Sequence, residues 1–150
     1  NNARTSCAVV HINGDLYVAG GGGLPAKSED GTSTSSVALS SVERYDQKSG
    51  SWVEVTAMPT PREACAAAVL NGKLCVLGGR SASGETLAVV ESYDPLTEQW
   101  EVLPPMPVPR RSFLVAVAAG SLFVIGGNFG TSAPTRVKDA TQRWNMETGE

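Results

Sequence analysis

The sequence predicts an all-β fold assembled from repeated four-stranded units. Sixteen glycines and 9 prolines among 150 residues separate short runs of Val, Leu and Ala, a pattern typical of many short strands rather than helices. A hydrophobic fraction of 41% is sufficient for a packed core. In addition, glycine, arginine and aromatic positions recur at a constant distance along the chain, which indicates a repeat architecture.

The repeat is identified from residues of the same type that recur at one constant distance along the chain, the distance from Gly72 to Gly120. The pairs that share this offset are Gly72 and Gly120, Gly78 and Gly126, Gly79 and Gly127, Arg62 and Arg110, Tyr45 and Tyr93, and Trp52 and Trp100. Between the first and second units the offset is longer by ten, as from Gly20 to Gly78. The ten additional residues therefore lie between Gly21 and Glu43, where the Ser/Thr-rich residues 28–36 predict an inserted surface loop.

The first two strands of each unit are predicted to form a hairpin. Residues 7–10, 66–70 and 114–118 are small and apolar throughout, so we expect first strands that are buried on both faces. Asn13-Gly14 and Asn71-Gly72 predict type I′ turns, for which Ala119-Gly120 is a poorer match. The second strands, residues 16–19, 74–77 and 122–125, end in the glycine pairs.

A variable loop then leads to a third and a fourth strand. Residues 42–45 and 90–93 are the predicted third strands, and each fourth strand begins at a tryptophan seven residues after the tyrosine. A Met-Pro-x-Pro-Arg motif at residues 58–62 and 106–110 ends the unit, because proline removes a hydrogen-bond donor from the outer strand.

These motifs resemble the kelch repeat in their order and spacing: the Gly-Gly pair, Val-Glu-x-Tyr-Asp, the tryptophan and Met-Pro-x-Pro-Arg. The resemblance implies a kelch-type β-propeller with four-stranded antiparallel blades, whose first strands line a central channel. Blade one is then 4–61 with an inserted loop at 22–41, blade two is 62–109, and blade three is 110–150. Because Trp144 takes the tyrosine position of blade three, the next tryptophan is expected at position 151 and the outermost strand is lacking. The chain thus supplies about 2.75 blades of an incomplete ring, whereas propellers close with roughly four to eight.

The recurring residues are expected to be structural. The glycines allow close backbone approach, the tyrosines and tryptophans wedge between blades, and the arginines pin buried carbonyls or carboxylates. These positions are Gly20, Gly21, Tyr45, Trp52, Arg62, Gly78, Gly79, Tyr93, Trp100, Arg110, Gly126, Gly127 and Trp144. If Trp52 wedges between blades, its replacement by alanine is expected to lower the free energy of unfolding by about 3–5 kcal/mol.

Two sources of the remaining blades are open. In the first, further blades belong to a longer chain. In the second, another copy of this chain supplies them, so that two chains approximate a six-bladed ring. Either source would cover the strand edges and blade faces that an open array leaves exposed, which are otherwise aggregation hazards.

The composition argues against several classes of function. A net charge of −3 offers no basic surface for nucleic acid or an anionic membrane, and no apolar run approaches the roughly 18 residues of a membrane span. Three cysteines without a CxxC pair and a single histidine predict no metal and no cofactor. We expect His11 to be a core or channel-edge histidine, no catalytic residue in this segment, and a reduced cytoplasmic location, with the nucleus as an alternative.

The resemblance implies a non-catalytic protein–protein interaction module, either a scaffold or a substrate adaptor. Its protein or peptide partner would bind the strand 2–3 loops, at residues 22–41, 80–88 and 128–137, and the loops between blades. Within these loops Arg80, Arg111, Asn128 and Phe129 are the predicted contacts, and a solvated loop charge is the alternative for Arg80. Two other functions remain open: a propeller enzyme whose active site lies in blades outside this segment, and a kelch protein associated with actin or the cytoskeleton.

Overall fold

The computed structural model describes residues 3–24, 36–129, 135–136 and 141–145, and the regular elements within them are all strands. In chain order the strands are β1 (Arg4–Thr5), β2 (Ala8–Ile12), β3 (Asp15–Ala19), β4 (Gly22–Gly23), β5 (Val37–Ala38), β6 (Val42–Asp46), β7 (Ser51–Val55), β8 (Ala66–Leu70), β9 (Lys73–Leu77), β10 (Val90–Asp94), β11 (Gln99–Leu103), β12 (Leu114–Ala118), β13 (Ser121–Ile125), β14 (Asn128–Phe129), β15 (Thr135–Arg136) and β16 (Thr141–Trp144).

The longer strands form three successive antiparallel sheets, which are blades one to three. Their orders are β2-β3-β6-β7, β8-β9-β10-β11 and β12-β13-β16. The register is equivalent in the three blades, because Leu16 opposes Tyr45, Leu74 opposes Tyr93, and Leu122 opposes Trp144. The described residues therefore form two complete blades and three strands of another, the incomplete kelch-type propeller that the sequence predicts.

The hairpins between first and second strands keep one geometry. Asn13 and Asn71 both have φ of 52°, and Ala119 has φ of 48°. The glycine that follows each of them also has a positive φ. This is the type I′ pattern, whose twist matches that of the strands it joins. The third hairpin adopts it although alanine is a poorer residue for that conformation, because the strand pairing on both sides is unchanged.

Two apolar cores lie between neighbouring blades. The core between blades one and two consists of Ile12, Tyr17, Ala19, Val42, Met58, Leu74, Val76 and Tyr93. The core between blades two and three consists of Ala66, Ala68, Cys75, Leu77, Val90, Met106, Phe113, Leu122, Val124 and Trp144. Blade two contributes one face of its sheet to each core, so stability comes mainly from blade-on-blade packing.

The prediction that the first strands are buried on both faces is wrong for blade three and for one face of blade one. Leu114 is 70% exposed and Val9 is 56% exposed. Each lies on an outer face of the three-blade arc, against which no further blade packs among the described residues. The expectation of a core position for His11 is also wrong, because this side chain is exposed, one residue before the end of β2; a channel-edge position stays a prediction.

Backbone hydrogen bonds connect the blades just before their first strands. The amide of Ala64 donates to the carbonyl of Ser6 over 2.9 Å, and the amide of Ser112 donates to the carbonyl of Ala64 over 2.8 Å. These three residues share an unusual left-handed backbone, with φ between 51° and 53°. Since non-glycine residues seldom adopt this conformation, its repetition marks a fixed inter-blade connection.

A buried arginine holds each blade near the end of its second strand. Arg62 donates from Nη1 to the carbonyls of Gly78 (3.2 Å) and Val89 (3.0 Å), and its Nη2 lies 2.8 Å from Oε2 of Glu91. Thr60 in turn donates a 2.6 Å hydrogen bond to Oε1 of Glu91. Burial lowers the pKa of Arg62, and the Glu91 carboxylate opposes that shift.

Arg4 is the equivalent arginine of blade one, because its offset to Arg62 is the same as that from Gly20 to Gly78. Its Nη1 donates to the carbonyl of Gly20 over 3.0 Å, and its Nη2 lies 2.9 Å from Oε2 of Glu43. Arg110 of blade three keeps the carbonyl contact, with Nη1 2.9 Å from the oxygen of Gly126. All three blades therefore share the bond from arginine to the first glycine of the pair.

The recurring aromatic residues pack within a blade and, at one position, across to the preceding blade. The ring centroids of Tyr93 and Trp100 are 5.1 Å apart, and those of Tyr17 and Tyr93 are 6.3 Å apart across the boundary between blades one and two. Trp52 packs against Tyr45 at 5.4 Å and is half-buried. Within the described residues no blade precedes blade one, so Trp52 packs inside its own blade.

Candidate protein-interaction surface

Three equivalent backbone pairs lie at the start of the three blades, just before the first long strand of each blade. They join the residue after the buried arginine to the residue after the glycine pair, and their spacing along the chain is that of the repeat itself. We refer to these residues as the bridge row: Thr5 with Gly22, Glu63 with Arg80, and Arg111 with Asn128. The bridge row therefore contains three of the predicted contacts: Arg80 and Asn128 hold the same position in blades two and three, and Arg111 is the partner of Asn128.

Arg80 is held by an ion pair within the bridge row. Its Nε lies 2.8 Å from Oε1 of Glu63, and its Nη2 contacts the same oxygen. Ser36, from the inserted loop of blade one, donates a 2.7 Å hydrogen bond to Oε2 of Glu63. The Glu63 side chain is 9% exposed and that of Arg80 is 34% exposed. Arg80 is thus a positioned, half-exposed guanidinium rather than the freely solvated loop charge considered as the alternative.

Arg111 is the second cation of the bridge row. Its amide donates to the carbonyl of Asn128 over 3.0 Å, and the amide of Asn128 returns a 2.9 Å bond to Arg111. The Arg111 side chain is half-buried, and its Nε has no hydrogen-bond partner among the described residues. Phe129 follows in β14, opposite Thr135, and is also half-buried. Arg111, Asn128 and Phe129 therefore form one contiguous segment of the surface.

Glu63 and Ser36 are the residues of this surface that sequence reasoning missed. The signal for Glu63 was present, because it lies one repeat period before the predicted contact Arg111 and so holds the same position one blade earlier. No such signal existed for Ser36, whose partner depends on how the inserted loop folds back. The contact of Ser36 with Glu63 joins the loop of blade one to the bridge of blade two.

The ends of the inserted loop are ordered by short strands that the sequence did not predict. Gly22 and Gly23 pair with β1 on one side and with β5 on the other. Gly22 lies directly under Glu63, whose Oε2 occupies the space that a Cβ would need. The middle of the predicted loop, residues 25–35, lies outside the described residues, as do residues 130–134 and 137 of the third loop.

The charge of the bridge row comes from one carboxylate, Glu63, and two guanidinium groups, Arg80 and Arg111. Because Glu63 is paired with Arg80, the positive charge of Arg111 is not balanced by another member of the row. A guanidinium group is suited to bidentate recognition of carboxylates. Chemically, the surface offers a cation, an amide side chain and an aromatic ring side by side, which are groups that recognise a peptide.

The chain belongs to the kelch-repeat family. The family model for the Kelch motif matches residues 3–59 and 61–107, which together cover more than half of the sequence. The resemblance drawn from the glycine pairs, aromatic positions and Met-Pro-x-Pro-Arg motifs is therefore confirmed.

Two curated proteins are similar to part of the chain. An F-box/kelch-repeat protein of Arabidopsis thaliana is 39% identical over 79 residues, which are 53% of this chain and 18% of that protein. Kelch-like protein 33 of Homo sapiens is 38% identical over 79 residues, which are 53% of this chain and 13% of that protein. The matched segment is thus less than a fifth of either relative.

Among solved structures, that of YjhT is similar in fold. It superposes with a TM-score of 0.78 and 21% sequence identity, covering 96% of this chain and 50% of that one. The described residues contain no helix long and apolar enough to span a bilayer, and they contain no group of three or more potential metal ligands.

Proposed function

We propose that this chain is a non-catalytic protein–protein interaction module that binds its partner through the bridge row and the adjoining strand 2–3 loops. The observation that supports the proposal is the equivalence of the three bridges, in which Arg80 of blade two and the pair Arg111–Asn128 of blade three belong to neighbouring bridges. A repeated backbone framework with different side chains suits recognition, because the blades fix the geometry while the loops vary.

The kelch relatives support an adaptor or scaffold role. One carries an F-box in its name together with kelch repeats, and the other is a kelch-like protein. The blades that complete the ring come from a longer chain or from another copy. Cys7, Cys65 and Cys75 are all free thiols, which supports a reduced, cytoplasmic setting.

We propose that the partner is a peptide that presents a carboxylate to Arg111 and an apolar group to Phe129. Arg111 is the primary contact because no other residue of the bridge row neutralises it. Arg80 is a secondary contact, since a partner carboxylate must share it with Glu63.

The test is quantitative affinity capture from cells that express the tagged chain or one of three variants. Arg111→Ala should reduce recovery of the strongest wild-type partner at least fivefold, and Arg80→Ala should reduce it less. Arg44→Ala is the matched control, because Arg44 is a half-exposed strand residue paired with Asp15 at 3.0 Å, away from the bridge row. Equal recovery with Arg111→Ala and with wild type would remove the bridge row from the binding surface.

A further inference from the structure

The bridges of blades two and three are joined directly to each other. The amide of Gly79 donates a 2.8 Å hydrogen bond to the carbonyl of Arg110 across the boundary between these two blades. Arg80 follows Gly79 in the sequence, on one side of this bond. Arg111 follows Arg110, on the other side. The two arginines of the bridge row therefore start from backbone positions next to a single inter-blade hydrogen bond.

The repeat also predicts the direction of the Arg111 side chain. In the bridge of blade two, the Glu63 side chain crosses to blade one, where its Oε2 occupies the space that a Cβ at Gly22 would need. Arg111 is the repeat equivalent of Glu63, and Arg80 is the repeat equivalent of Gly22. We therefore expect the Arg111 side chain to cross toward Arg80 in the same way, so that the two guanidinium groups are neighbours.

Glu63 neutralises one of these two cations. The Nε of Arg80 lies 2.8 Å from Oε1 of Glu63, and its Nη2 contacts the same oxygen. Ser36 donates a 2.7 Å hydrogen bond to Oε2, so both oxygens of this carboxylate are held. By contrast, the Nε of Arg111 has no hydrogen-bond partner among the described residues. The row thus places a balanced guanidinium beside one that has no counter-ion within the row.

We propose that Glu63 determines the specificity of the bridge row, by restricting it to a ligand group with a single negative charge and disfavouring a phosphate group. The inference rests on the proposed function, because it requires that Arg111 receives an acidic group of the partner. One carboxylate balances the one unpaired guanidinium. A phosphoserine carries about −1.5 to −2 charges at neutral pH and would bring the additional charge close to the Glu63 carboxylate. Such a placement of like charges disfavours binding.

The same geometry predicts how the preference changes when Glu63 loses its charge. Glu63→Gln keeps the size of the side chain and an oxygen that accepts hydrogen bonds from Arg80 or Ser36. It leaves Arg80 without its counter-ion, so that two neighbouring guanidinium groups face the ligand. A phosphate group has three strong acceptor oxygens and can pair with both of them. We therefore expect the substitution to favour phosphorylated ligands over ligands with one carboxylate.

The test uses synthetic peptides that are randomised except at the central residue, which is glutamate, phosphoserine or glutamine. Retention of each fluorescent pool on the immobilised chain is measured at neutral pH, and the glutamine pool gives the background. Wild type should retain the glutamate pool above background and more strongly than the phosphoserine pool. In Glu63→Gln the ratio of phosphoserine to glutamate retention should rise by about fivefold.

Two further variants separate the role of Glu63 from effects of net charge and folding. Glu85→Gln removes one negative charge at an exposed position of the loop that begins at Arg80, and it should keep the wild-type ratio. The double variant Glu63→Gln, Arg80→Ala should lose the gain, because the second guanidinium is absent. A misfolded variant would lose both acidic pools and could not produce a gain for one of them.

The possible outcomes distinguish this inference from the proposed function. If wild type retains the glutamate pool, an unchanged ratio in Glu63→Gln, or a gain that persists without Arg80, overturns the inference and leaves the proposed function standing. Stronger retention of the phosphoserine pool by wild type also overturns the inference alone. If wild type retains neither acidic pool above the glutamine pool, the proposed function fails, and the inference fails with it.

Discussion

The indole Nε1 of Trp100 donates a 2.9 Å hydrogen bond to the carbonyl oxygen of Thr56, and so connects the fourth strand of blade two to the end of blade one. The same ring packs against Tyr93, which in turn contacts Tyr17 of blade one. A residue in the outermost strand of one blade therefore stabilises the boundary with the blade before it.

Replacing Trp100 by alanine is expected to lower the free energy of unfolding by about 3 kcal/mol, because both the ring packing and the hydrogen bond are lost. Trp100→Phe should cost about 1 kcal/mol, the contribution of one hydrogen bond. Trp52→Ala is the comparison, since Trp52 packs only against Tyr45 of its own blade among the described residues. Urea denaturation measures all three, and an equal loss for Trp52→Ala and Trp100→Ala would contradict the inter-blade role.

Glu91→Gln is expected to destabilise the chain by about 3–5 kcal/mol, since it removes one partner of a fully buried ion pair and leaves Arg62 without its counter-ion. Glu101→Gln makes the same change at an exposed position of β11 and should alter stability by less than about 0.5 kcal/mol. The check is the urea midpoint of both variants at neutral pH. Equal midpoints would show that the buried pair contributes nothing.

Gly20→Ala should destabilise the chain more than Gly14→Ala, although both glycines have a positive φ. A Cβ at Gly20 would lie 2.6 Å from the carbonyl oxygen of Arg62, whereas a Cβ at Gly14 would meet nothing within 4 Å. The backbone penalty of about 1–2 kcal/mol applies to both, and the steric conflict adds about 1–3 kcal/mol at Gly20 alone. Thermal unfolding in parallel measures the difference, and similar midpoints would mean that the blades shift apart without cost.

Stability should fall at alkaline pH because of Cys65. Burial raises the pKa of its thiol from 9.0 to about 11. The folded chain therefore holds this proton more tightly than the unfolded chain, so the contribution is complete below pH 9 and is lost as the pH rises to about 11. The loss amounts to about 2–3 kcal/mol.

Urea midpoints at pH 8, 9.5 and 10.5 test this expectation. In the Cys65→Ala variant, the part of the stability loss at alkaline pH that comes from this thiol should be absent. The Cys7→Ala variant should still show it, because Cys65 is present. A decline of the same size in the Cys65→Ala variant would assign the effect to other groups, such as Tyr17 and Tyr93, whose pKa values are also raised by burial.

The phase of the strands was predictable from sequence because the repeat positions mark the same place in every blade. Trp144 pairs with the second strand of blade three at the position that Tyr45 and Tyr93 hold in the other blades. Ala119-Gly120 adopts the turn that Asn-Gly predicts. The exposure of Leu114 was not predictable, since an apolar strand has the same sequence pattern whether or not a neighbouring blade covers it. Ser36 could not be found either, because its contact with Glu63 depends on the long-range path of a loop rather than on a local pattern.

The hydrogen bonds from Ala64 to Ser6 and from Ser112 to Ala64 are nearly equal in length, although ten extra residues separate the glycine pair of blade one from its third strand. The hydrogen bond that joins neighbouring blades thus keeps its length although blade one carries the inserted loop. The connection between the blades lies outside the strand 2–3 loops, so an insertion in a loop need not disturb it. A binding surface built on this framework can acquire a new specificity without any adjustment of the cores that hold the blades together.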